Sequence, residues 1–124
     1  MRETVKAFKV LSDETKLRML NMLLERECCV CEVMQALEIS QSKASRGLSA
    51  LYDAGFLKLK KEGLWSLYSI DKESISGYQY QLIEAAKEAL NNNKIVEEDR
   101  ESLRRAERVG PIRARETHAQ PPVS

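Results

Sequence analysis

Apolar residues recur along most of the chain at the three- and four-residue intervals of amphipathic helices, with one stretch where they alternate instead. Thr4 to Leu11 carries Val5, Phe8 and Leu11 at helical spacing, enough for a short amphipathic helix. Leu17, Leu20, Leu23 and Leu24 form a second stripe; Ser12 or Asp13 is placed to cap it, and Asp13 and Glu14 favour its start. That helix is expected to be core scaffold. Val30, Val33, Met34 and Leu37 then fall at i, i+3, i+4 and i+7. The pattern breaks over Glu38 to Ser40 and resumes with Ala44, Leu48, Leu51 and Gly55. Two short helices joined by a turn of about three or four residues have helix-turn-helix spacing.

From Phe56 to Ile70 the period changes. Leu57 and Leu59 alternate with Lys58 and Lys60, Lys61-Glu62-Gly63 interrupts, and Trp65 to Ile70 is rich in strand formers. This predicts a β-hairpin turning at Gly63 with Lys60 and Lys61 near its tip, and a basic hairpin after a helix-turn-helix is a winged helix. Trp65 and Tyr68 alternate with their neighbours as wing core rather than base-stacking groups. Beyond Asp71 the helical period returns: Ile75, Tyr78, Leu82, Ile83, Ala86, Ala89 and Leu90 line one broad face, and Asn91 to Asn93 weaken or end it. Residues 1-92 are thus expected to form the folded domain. The charged segment 93-109 has few apolar anchors beyond Ile95, Val96 and Leu103, and reads as a helical extension or a solvated appendage. Residues 110-124 hold all three prolines and are expected to be disordered.

A length of 124 residues accommodates one small domain, and 31% charged residues with few aromatics favour helices with solvated faces. The net charge of +1 gives no general attraction to nucleic acid, so local clusters matter more. Ser40, Gln41, Ser42, Lys43, Ser45, Arg46 and Ser49 on the second helix of the pair can meet base edges and phosphates. Lys58, Lys60 and Lys61 on the hairpin can add phosphate contacts, the competing reading being a solvated edge that blocks strand pairing. No run of 18 apolar residues and no signal-peptide pattern occur, so a soluble, cytoplasmic protein without membrane contact is expected. Cys28, Cys29 and Cys31, odd in number and closely spaced, read as thiols rather than a disulfide framework. A helix start beside them would lower a thiol pKa and favour metal binding or oxidation; the plain alternative is burial as small apolar residues. No triad, phosphate loop or paired catalytic carboxylates occur, and the one histidine, His118, lies in the tail, so an enzyme is not expected.

The segments ECCVCEV, SQSKASRGLSALYDAGFL and KKEGLWSLYSI, preceded by LSDETKLRML, together resemble the ArsR/SmtB family of metal-responsive winged-helix repressors. The family pattern is roughly LSDPTRLRIL, ELCVCDL, SQPxVSxHLxxLxxAGLV and a glycine-containing wing, so four motifs match in order over most of residues 5 to 70. The resemblance implies a mainly α fold with a β-hairpin wing and a homodimer formed through the terminal helices. It further implies a palindromic double-stranded DNA operator, released when a thiophilic metal or metalloid binds. Glu14 and Ser42 stand where the family has proline, and Gly47 where it has histidine, at about 1 kcal/mol relative to alanine in mid-helix. Cys29 and Cys31 match the family's CxC, while Met34 stands where arsenic-responsive members carry a third ligand. Cys28 could replace that ligand, giving three thiolates for As(III), Sb(III) or another soft ion, provided that the helix start unwinds or the site lies in the preceding loop.

The expected function is therefore a dimeric repressor whose reading helices reach successive major grooves about 34 Å apart. One rival is a winged-helix redox or sulfur-species sensor using the same cysteines. Another is an interaction or metal-buffering protein that binds no specific DNA.

Overall fold

The computed structural model describes residues 1–73, 75 and 77–109; the expected tail disorder and His118 lie outside the described residues. The elements are α1 (Arg2–Leu11), α2 (Glu14–Glu25), β1 (Cys28–Cys29), α3 (Val30–Leu37), α4 (Gln41–Asp53), β2 (Leu57–Glu62), β3 (Trp65–Ile70), α5 (Gly77–Ala89) and α6 (Lys94–Arg105). Side-chain caps fix three of the helix starts: Asp13 accepts from the Lys16 N–H, Ser40 from that of Lys43 and Asn93 from that of Val96. Between α3 and α4, Glu38 adopts a left-handed φ of 54°, and the Ile39 N–H returns to the Met34 carbonyl at 3.2 Å. That closes α3 and starts α4 within a few residues, as the break in the apolar pattern predicts.

Met19, Leu20 and Met22 of α2 are fully buried at the centre of the core, facing Leu48 and Leu51 of α4 and Phe56 just beyond it. Gly47 faces inward as well: a Cβ there would stand 2.5 Å from the Met19 Sδ, so its lack of a side chain lets α4 lie close on α2. The three strands form an antiparallel sheet in the order β1-β3-β2. Strand β1, absent from the pattern reading, pairs Cys28 with Tyr68 and Cys29 with Leu67. Trp65 packs in a small cluster with Cys29, Cys31 and Leu67, and Tyr68 is buried in the main core.

The charged segment after Asn93 is not a solvated appendage. Helix α6 packs on α2 and α3, with Val96 and Leu103 buried. Asp99, 4% exposed, receives two hydrogen bonds of 2.8 Å from Arg18 on α2. By contrast α5 buries only Ile83, leaving Tyr78 and Tyr80 exposed, and Val5 and Phe8 of α1 are exposed too. No helix among the described residues is long and apolar enough to cross a membrane.

Candidate nucleic-acid interface and cysteine pair

Helix α4 separates its residues as the composition suggests. Ala44, Gly47, Leu48 and Leu51 face the core, Ser42, Lys43 and Arg46 are exposed, and Gln41, Ser45 and Ser49 are half-buried. Ser40 uses its hydroxyl oxygen to cap the helix, accepting from the Lys43 N–H at 3.1 Å. Among the described residues the side chains of Lys43 and Arg46 form no ion pair, which leaves both cations available to a polyanion. Gly47, at the family's histidine position, points at Met19 rather than outward and could not present a base-contacting side chain without rearranging the α2–α4 contact.

In the wing, Glu62 pairs with Trp65 across the two-residue loop of Gly63 and Leu64, and Gly63 takes the φ of 62° that such tight hairpin turns require. Lys58, Lys60 and Lys61 are exposed along β2. Lys58 lies 3.8 Å from Glu73, and Lys60 lies 3.3 Å from Glu62 and 3.7 Å from Glu27. These are surface pairs of small energy that a phosphate can displace.

The three cysteines do not converge. Cys28 is fully buried in the main core, and its thiol donates to the Arg26 carbonyl at 3.4 Å. Burial, reinforced by the negative charge of Glu32, pushes that thiol up to about 12. Cys29 and Cys31 lie instead in the Leu67–Trp65 cluster, with Cα atoms 5.4 Å apart and their sulfurs joined in a disulfide. The expected three-thiolate site is therefore not formed: within a strand successive side chains point to opposite faces, and β1 sends Cys28 inward. The expectation that all the cysteines are free thiols also fails, since only Cys28 is free. Among the described residues no group of three cysteine, histidine or acidic side chains could hold a metal ion.

Sequence reasoning missed the polar frame of the pair. Glu32, 3% exposed, accepts from the Cys29 N–H at 2.9 Å, from Arg26 Nη1 at 2.7 Å and from Arg108 Nε at 3.1 Å. Its place three residues after the N-cap Cys29 is the capping-box spacing, a signal hidden because cysteine stands where serine or threonine is usual. The segment after α6 lies across this frame. Gln35 and the Glu107 backbone exchange two hydrogen bonds of 2.6 and 3.0 Å, and Trp65 Nε1 donates to the Val109 carbonyl at 2.8 Å. Between that segment, the wing and the disulfide is a cavity of about 180 Å³, lined by Met34, Gln41 and Trp65 among others.

A helix pair with an outward basic face, flanked by a lysine-bearing hairpin, is the architecture of a winged helix-turn-helix. The model of "Bacterial regulatory protein, arsR family" matches residues 13–64. Over 67 residues the chain is 45% identical to the arsenic resistance transcriptional regulator ArsR1 of Pseudomonas putida, covering 53% of this chain and 52% of that protein. It is 40% identical over 85 residues to the cadmium resistance transcriptional regulatory protein CadC homolog of Staphylococcus aureus, covering 68% and 67% respectively. The chain belongs to the arsR family. The matches thus span between half and two thirds of these relatives' lengths. Among solved structures, the homodimeric winged helix-turn-helix DNA-binding domain Mb0332 of Mycobacterium bovis superposes with a TM-score of 0.62 at 22% identity, covering 75% of this chain and 82% of that one. This likeness shows the fold.

Proposed function

We propose that the protein is a cytoplasmic, dimeric repressor that binds a two-fold-symmetric operator through α4 and the β2–β3 wing, and lets go when a thiol-seeking species engages Cys29 and Cys31. The observation that carries this reading is the position of the pair. Cys29 is hydrogen-bonded through β1 to wing strand β3, and Cys31 lies in the first turn of α3, which leads directly into α4. A change at the two sulfurs therefore reaches both DNA-facing elements through one short connection. Gln41 and Arg46 are assigned to base edges; Ser40, Ser42, Lys43, Ser45, Ser49, Lys58, Lys60 and Lys61 set position and affinity. The exposed apolar side chains of α1 and α5 supply the dimer face, in keeping with the homodimeric Mycobacterium bovis domain.

The named resistances of the relatives, arsenic and cadmium, put a trivalent arsenical, an antimonial or another thiophilic ion first among effectors. Its ligands would be Cys29 and Cys31, with Cys28 held in the core. Fluorescence polarisation on promoter DNA, using reduced protein titrated with arsenite, antimonite, cadmium and zinc, tests the reading. Release by one of these, lost in Cys29→Ser and Cys31→Ser variants that still bind DNA, is expected; absence of specific DNA binding would overturn it. A second reading, favoured by the Cys29–Cys31 disulfide, makes the same pair an oxidation sensor. Peroxide would then release DNA without any metal, and a reductant would restore binding.

A further inference from the structure

The chain beyond α6 crosses from α3 to the wing in three residues. Ala106 leaves the helix in an extended conformation, with φ −73° and ψ 146°, and each of the next three residues is then tied down separately. The Gln35 side-chain amide donates to the Glu107 carbonyl at 2.6 Å and accepts from the Glu107 N–H at 3.0 Å. Arg108 Nε donates to the buried Glu32 carboxylate at 3.1 Å. The Val109 carbonyl accepts from Trp65 Nε1 at 2.8 Å, and the Val109 side chain packs on the cluster of Cys29, Cys31 and Leu67. Two attachments on α3 and one on β3 thus hold this short segment across the cysteine pair. Under it Cys29 is 2% and Cys31 6% exposed, and Val109 forms one wall of the cavity beside them.

The segment is held far more weakly than the helix before it. Helix α6 is anchored by the fully buried Leu103 and by the Arg18–Asp99 pair, whereas Glu107 is exposed and Val109 is the one apolar anchor after Ala106 among the described residues. A stretch with few buried contacts and solvent-accessible hydrogen bonds opens at a small fraction of the cost of global unfolding. Attack on a sulfur, in turn, depends on access to it. We infer that residues 107–109 are a latch over the Cys29–Cys31 pair. Closed, it shields both sulfurs and ties α3 to wing strand β3; open, it exposes the pair and frees that tie, so its few bonds set how fast the pair reacts. The inference concerns access alone. It holds for an ion, an oxidant or a reductant alike, and goes beyond the choice of effector.

The third cysteine supplies the control. Cys28 is the free thiol and lies fully buried in the main core, so its alkylation reports wider unfolding, while reduction of Cys29–Cys31 reports the latch. The full-length disulfide form is treated with a water-soluble trialkylphosphine, quenched in acid and followed by intact mass. The phosphine attacks one sulfur and the other leaves as a thiolate; water then releases the first as a thiol and converts the phosphine to its oxide. In a parallel sample without reductant, iodoacetamide alkylates Cys28 alone. Gln35→Ala removes both bonds to Glu107 from an exposed position and places a stronger helix former in α3, so the helix itself is not weakened. It should speed reduction at least about fivefold. Arg108→Ala, which gives up one partly exposed ion pair, should speed it about threefold, and the double variant by about the product of the two. Cys28 alkylation should stay at the unsubstituted rate in all three variants. An unchanged reduction rate in the Gln35 variant, or Cys28 alkylation rising in step with reduction, would overturn the inference. Neither result bears on release of DNA by a thiol-seeking species, since no DNA or metal enters the measurement.

Discussion

Replacing Glu32 by alanine tests the polar frame around the cysteine pair. Its carboxylate is 3% exposed and accepts three hydrogen bonds, from the Cys29 N–H, Arg26 and Arg108. The Cys29 bond satisfies a backbone donor at the start of α3, and loss of such a cap costs about 1 kcal/mol. Each charge-assisted bond would contribute about 1.5–3 kcal/mol if fully buried. Arg26 and Arg108, however, are 37% and 28% exposed and can turn to water, so about 1 kcal/mol each is the better estimate. The expected loss for Glu32→Ala is about 3 kcal/mol, and for Glu32→Gln about half that, since the amide keeps an acceptor for the Cys29 N–H. In urea unfolding at fixed protein concentration, the alanine variant should lower the midpoint by about 1.5 M for a slope of about 2 kcal/mol/M. A loss below about 1 kcal/mol, or no difference between the two variants, would refute the assignment of Glu32 as the hub of this frame.

Other variants test neighbouring claims. Cys28 ionises near 9.0 when unfolded and at about 12 when folded, so between these values the unfolded chain releases a proton that the folded chain keeps. Stability should be unaffected by this group below pH 9 and fall by up to about 1.4 kcal/mol per pH unit above it. Urea unfolding of Cys28→Ala should lack that part of the alkaline slope, and an unchanged slope would refute it. Leu103→Ala, at a fully buried site on α6, should cost about 2–5 kcal/mol in thermal or chemical unfolding; a negligible change would mean that α6 lies outside the core. Gly47→Leu should cost about 1–3 kcal/mol by overpacking against Met19, and combining it with Met19→Ala should recover part of the loss, whereas strict additivity would separate the two sites.

Where one face of an element is buried, the sequence discloses that element well. The stripes of α2, α3 and α4 follow from leucine and valine spacing because burial imposes the helical period on them, and the hairpin follows from alternation ended by Gly63. Elements held by polar contacts are less legible. Helix α6 contributes few apolar anchors and reads as charge; its docking depends on Asp99 meeting Arg18, a pairing between residues 81 positions apart that no local pattern encodes. The Glu107, Arg108 and Val109 contacts have the same character, since two of them use backbone groups common to every residue.

Spacing alone could not decide how the cysteines divide, because the outcome depends on where helix gives way to strand. Treated as one helix, positions 28, 29 and 31 point about 100° apart per residue and none is singled out. With β1 ending at Cys29 and α3 starting at Val30, the division follows from register. Cys28 lies opposite Tyr68, and both are buried in the main core; Cys29 lies opposite Leu67, and both belong to the smaller cluster with Cys31. Bringing Cys28 to the other two sulfurs would require a one-residue slip of β1 or its separation from β3. Either would expose a thiol now fully buried, remove Cys29 from its place opposite Leu67, and disturb the strand that anchors the wing. A ligand satisfied by two sulfurs meets none of these costs. The cysteine count in the sequence therefore overstates the number of sulfurs the fold offers, and the residue that limits it is the strand position of Cys28.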